Sequence, residues 1–240
     1  MPRLGRFVLG CAWAAWALAA CKDDGVSPAE TGELVVRASA QVPTPASVEG
    51  AAGPAAVPIG APSSWRVGLY EFHISMNADC APPFVQAYSS GAAPSVQDFV
   101  TSPVLFTATG LPVGSYPCVA MKITDVMEFE SGVSSGACVS GTTYVGDVYP
   151  AGEDPFFDLS LSAIPSTGSD AAPSEDGIFL LFSTARTSAV ARGFASNQVI
   201  PLASPLVIPD DITFYWDASN AVNDTGTSCN LEPDAPALFW

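Results

Sequence analysis

Few residues in this 240-residue chain could do chemistry, and their spacing suits few reactions. There is one histidine, His73. A Ser-His-Asp or Cys-His arrangement would have to use it as the base. Trp65 to Met76 reads as a strand whose apolar face is Gly68, Tyr70, Phe72, Ile74 and Met76, which puts His73 on the second face with Glu71 and Ser75. The chain has no His-Glu-x-x-His, no P-loop and no Gly-x-Gly-x-x-Gly. The expectation is a protein that is not an enzyme, with no catalytic residue, cofactor or metal.

Carboxylates are the exception, because two of them at the right separation suffice for glycoside hydrolysis. With 24 acidic residues, the sequence neither excludes such a pair nor singles one out. Asp147, Glu153, Asp154 and Asp158 cluster near a strand junction, Asp170, Glu175 and Asp176 share a loop, and Asp210-Asp211 precede a strand. Such loops can supply the oxygens that calcium takes, although none has EF-hand spacing. The aromatics Phe214, Tyr215, Trp216, Phe239 and Trp240 would serve either as a sugar-stacking platform or as core. Asn223-Asp224-Thr225 matches a glycosylation sequon.

The N-terminus carries the most specific signal. Arg3 and Arg6 precede an uncharged run from Phe7 to Ala20, the length of a secretory leader and too short to span a bilayer. The run closes on Leu18-Ala19-Ala20-Cys21, which resembles the lipobox of bacterial lipoproteins. That resemblance implies a signal peptide over 1–20, diacylglyceryl transfer to the Cys21 sulfur, and cleavage before it. Lys22 stands where the enteric sorting rule reads Asp as inner-membrane retention, so the implied destination is the outer membrane. The membrane, reached through the lipid on Cys21, is the partner expected, and the sequence identifies no particular protein or polysaccharide partner.

Cys11 leaves with such a leader and Cys21 takes the lipid. Cys80, Cys118, Cys138 and Cys229 remain, an even number in an exported chain, with no Cys-x-x-Cys pair among them. Two disulfides are the natural use in an oxidising compartment. Cys80 follows one strong strand and Cys118 begins another with a similar apolar face, which favours Cys80–Cys118 and leaves Cys138–Cys229 among the three possible pairings. The net charge of −16 repels nucleic acid and anionic headgroups, so no nucleic-acid partner is expected.

The elements that must carry these residues are strands. Pro (22) and Gly (20) are frequent and scattered, which favours short strands over long helices. Strand patterns fall at 32–38, 65–76, 104–108, 116–129, 142–148, 156–161, 178–182, 206–208, 212–216 and 237–240, with 184–199 open to a short helix. Residues 21–31 read as a tether and 41–63 as a Pro/Ala-rich loop or linker. The domain then runs 32–240, or starts near Trp65 with a stalk before it. Leu111-Pro112-Val113-Gly114-Ser115-Tyr116 reads as a turn in which Gly114 takes a positive φ. This Leu-Pro-x-Gly-x-Tyr turn is similar to one in prealbumin-like and carboxypeptidase-regulatory-like sandwiches, and in uncharacterised lipoprotein domains. The expected fold is all-β, a single β-sandwich of two antiparallel sheets with nine or ten short strands. The expected function is an envelope or surface lipoprotein displaying a non-catalytic module. The alternatives are a carbohydrate- or calcium-dependent binding module and a paired-carboxylate hydrolase.

Overall fold

The computed structural model describes residues 29–41, 57–147, 156–157, 163–164, 177–185, 200–233 and 237–240. Cys21, the leader, most of the tether and most of 41–63 lie outside them. So do Glu153, Asp154, Asp158, Asp170, Glu175, Asp176 and nearly all of 184–199.

The strands are β1 (Thr31–Ser39), β2 (Val57–Gly60), β3 (Pro62–Ser75), β4 (Val85–Ser89), β5 (Ser95–Asp98), β6 (Val104–Pro112), β7 (Gly114–Tyr116), β8 (Cys118–Thr124), β9 (Val126–Ser131) and β10 (Thr143–Asp147). They continue as β11 (Phe156–Phe157), β12 (Ala163–Ile164), β13 (Gly177–Ser183), β14 (Ile200–Pro201), β15 (Leu206–Ile208), β16 (Asp210–Tyr215), β17 (Val222–Asp224), β18 (Cys229–Leu231) and β19 (Ala237–Phe239). A single 3-10 turn, Phe99–Thr101, is the only helical element among the described residues. The fold is all-β, as the punctuated sequence implies.

Its arrangement is less simple than two antiparallel sheets. An eight-stranded sheet and a four-stranded sheet, β19-β16-β1-β6, are accompanied by a three-stranded sheet and two two-stranded ribbons. The sheets are also mixed, because β1 runs parallel to β16 and β13 parallel to β14. The long excursion from Gln41 to Asp210 brings β16 back in the same direction as β1, which a hairpin cannot do.

The longest strand, β3, is the spine of the eight-stranded sheet. On one side it pairs with β8 through Leu69–Ser75 and with β9 through Pro62–Arg66. On the other it pairs with β4 and β5. Outside β8 and β9 lie β13 and β10. Eight strands thus occupy five rows, because three rows are each interrupted once.

The interruptions also change the side-chain phase. Trp65, Val67 and Leu69 face the core, then a register shift between Leu69 and Glu71 hands that face to Phe72 and Ile74. The expected single face of even positions is therefore correct only after the shift. An irregularity of this kind inserts a residue and flips every side chain beyond it to the other face. Met76, expected inside, is 62% exposed. The bend at Asp125 divides the expected strand 116–129 into β8 and β9, opposite the stretch between Arg66 and Leu69 where β3 passes from β9 to β8.

One core is shared by both large sheets. Trp65 of β3 meets Trp216, just past β16, at 4.9 Å, and Phe182 of β13 meets Phe214 of β16 at 6.1 Å edge-on. Phe72 meets Phe106 of β6 at 5.1 Å. Three of the five aromatics of the candidate sugar platform, Phe214, Tyr215 and Trp216, are buried, while Phe239 and Trp240 remain 40% exposed.

Cys80 is joined to Cys118 and Cys138 to Cys229, the pairing favoured from the sequence. The bridges lie at opposite ends of β3. Cys118 pairs with Ser75, whereas Gly60 and Asp224, beside the second bridge, adjoin the Pro62 end. At about 3.3 Å per residue, β3 separates these poles by about 40 Å. Disulfides persist in oxidising compartments, so this is an extracytoplasmic protein.

Candidate functional site

The described chain begins at the Cys80–Cys118 pole. Glu30 accepts a backbone hydrogen bond from the Val113 amide (3.0 Å), and Thr31 pairs with Pro112. The expected turn Leu111–Tyr116 therefore sits beside Glu30 and Thr31, at the start of β1.

The geometry of that turn differs from the expectation. Gly110, not Gly114, has the positive φ, at 74°. A Cβ at Gly114 would lie 2.9 Å from the Met76 methyl, the movable end of an exposed side chain. Tyr116 is fully buried and its hydroxyl donates to the Pro112 carbonyl at 2.7 Å, which closes the turn on itself. Burial pushes the Tyr116 pKa above its ordinary value, so the hydroxyl stays a donor.

The opposite wall is the loop after β3. The Ser75 hydroxyl donates to the carbonyls of Ala81 and Pro83 and accepts from the Asn77 amide. The Asn77 side chain accepts from the Asp79 amide, and the Ser183 hydroxyl donates to the Ala78 carbonyl. Cys80, at φ 55°, ties the loop to the start of β8. Pro82-Pro83 is cis.

Between these walls lies a groove of about 450 Å³ lined by Ile74, Met76, Pro83, Val85, Pro112 and Tyr116, with Ser75, Asn77 and Ala78 contributing. The Ser75 and Tyr116 hydroxyls are already engaged by backbone carbonyls, so the lining offers a guest mainly apolar surface. That is the usual character of a pocket of this size. A second recess of about 310 Å³, beside Ala40, Pro62, Val100 and Ala218, lies at the other pole.

The sequence-derived candidates do not converge on either recess. His73 is 8% exposed on the outer face of its sheet, its Nε2 2.7 Å from Glu71, between the rings of Phe84 and Phe179. Asp210-Asp211 is at the surface, with Asp211 3.8 Å from Arg37. Among the described residues, no three His, Cys, Asp or Glu side chains are grouped to hold a metal ion. Asn223 of the sequon is buried, donating to Ala221 and Glu232, which removes it from any glycosylating enzyme.

Gly132-Val133-Ser134-Ser135-Gly136 matches the Gly-x-Ser-x-Gly spacing. It forms a turn after β9 with no helix behind it, and Ser134 accepts from the Ser140 amide. A nucleophile elbow needs a strand-to-helix turn, so this match is structural.

The sequence hides the groove because alternation over 65–76 points Met76 inward. The apolar spacing of Trp65, Val67, Leu69, Phe72 and Ile74 skips a beat after Leu69, which signals the register shift but not the groove, because Met76 keeps the phase of Ile74 and leaves the core only where β3 ends at Ser75. Comparison with protein families, with curated proteins and with solved structures finds no match.

Proposed function

We propose that this chain is a lipoprotein of the cell envelope, anchored through acylated Cys21, that displays a non-catalytic β-sandwich module. The observation that carries the reading is the lipobox Leu18-Ala19-Ala20-Cys21 in a chain whose later cysteines are all committed to disulfides. Acyl chains at one residue, two or more of them, give stable anchoring where a single chain is marginal. Lys22 after the acceptor directs the protein to the outer membrane. The five rows of the larger sheet and the four of the smaller, sharing one core, support the sandwich.

Detergent phase partition tests the anchor. Wild-type protein is expected in the detergent phase and Cys21→Ser in the aqueous phase. Equal partition of the two would overturn the reading. The non-catalytic part is tested by a glycoside and peptide hydrolysis screen. No turnover is expected, whereas turnover abolished by Asp125→Asn, the one fully buried carboxylate among the described residues, would make the protein a hydrolase. Calcium and polysaccharides should leave the melting temperature unchanged. A specific ligand would raise it by mass action and favour the binding-module alternative.

A further inference from the structure

We infer that the Cys80–Cys118 pole is a docking surface for the lipid bilayer itself, with Met76 and Val113 as the side chains that enter it. This rests on the anchoring of Cys21. Glu30 is hydrogen-bonded to Val113, so the tether leaves the domain at the rim of the apolar groove. Met76 is 62% and Val113 41% exposed, and the Met76 methyl lies against Gly114 next to Val113. Val207, paired with Ser115 on the adjoining strand, adds a third exposed aliphatic side chain at 51%.

Chain length sets the occupant. Nine peptide units separate Cys21 from Glu30, which reach about 30 Å when fully extended. As a flexible coil they average about 17 Å. The other pole is about 40 Å further along β3. A lipid surface is therefore held at high effective concentration beside this pole, so a small apolar patch that would not bind membranes alone suffices once tethered. Among the described residues, Glu30 and Asp79 at this rim are both exposed and acidic. They disfavour anionic headgroups, and the surface chemistry that fits is an uncharged or zwitterionic interface.

The test uses acylated full-length protein in phosphatidylcholine vesicles, with an environment-sensitive fluorophore on a single introduced cysteine: Met76→Cys, Val113→Cys or, at the far pole, Val139→Cys, itself 51% exposed. Vesicle flotation is measured in parallel. The expected result is co-flotation of all three, with blue-shifted emission and quenching by a lipid-borne quencher at 76 and 113, and neither at 139. Co-flotation with all three labels in water would overturn the docking surface while leaving the anchor standing. Failure to co-float would remove the anchor and the inference together. Equal quenching at 76, 113 and 139 would mean that the domain lies without preferred orientation, which also contradicts the inference.

Discussion

Tyr116 shows how one side chain can set a local structure. Its ring fills the groove floor while its hydroxyl satisfies the Pro112 carbonyl four residues upstream. Tyr116→Phe keeps the ring and removes the donor, and should cost about 1 kcal/mol in urea unfolding. Because burial raises the folded-state pKa of Tyr116, the protonated form is favoured by folding. Its contribution is therefore complete below the unfolded tyrosine value of about 10 and is lost as pH rises through the folded value. Wild-type stability should fall there more steeply than that of Tyr116→Phe, and parallel pH profiles would contradict this. Two glycines give a paired test. A Cβ at Gly68 would meet Thr124 Cγ2 at 2.5 Å and Pro94 Cβ at 2.7 Å, both on stiff side chains. At Gly114 its one close approach would be to the end of the flexible, exposed Met76, with the Tyr116 ring at ordinary contact distance. Gly68→Ala should cost about 1–3 kcal/mol and Gly114→Ala clearly less, measured by denaturant midpoints.

At the scale of elements, the two bridges hold opposite poles. Cys80–Cys118 spans 38 residues and Cys138–Cys229 spans 91. Replacing either pair with alanines should cost about 2–4 kcal/mol, with the longer loop losing at least as much if chain entropy dominates. Unreduced peptide mapping that linked Cys118 to Cys138 would contradict the arrangement. Legibility in the sequence tracks burial here. Strands with a clear apolar face, such as β1, β13 and the run through Ile212, Phe214 and Trp216, stand out because their partners lie in the core. The strands it does not reveal are those whose pairing is not written in apolar alternation. Residues Val85–Ser89 and Ser95–Asp98 are half-exposed edge strands rich in Ser and Gln, and read as a polar loop. Residues Val57–Gly60, Val222–Asp224 and Cys229–Leu231 are short pieces beside the second bridge. The groove eludes the sequence for a different reason: β3 ends at Ser75, so Met76, which keeps the phase of Phe72 and Ile74, lies just past the strand and turns out to the rim.

At the scale of the molecule, the proposed anchor at Cys21 would hold the acidic domain by the Cys80–Cys118 pole and present the other pole away from the membrane. The acidic rim makes a further prediction for tethered protein. Adding anionic phosphatidylglycerol to the vesicles should weaken lipid quenching at residues 76 and 113, and raising salt should restore it by screening. Insensitivity to both would place the apolar contacts elsewhere. All of this depends on Cys21. Intact-mass analysis of protein extracted from the envelope by detergent addresses it most directly. The account predicts a chain that begins at Cys21 and carries a diacylglyceryl mass on that residue, with both disulfides intact. An unacylated chain, or one that begins at another residue, would contradict it.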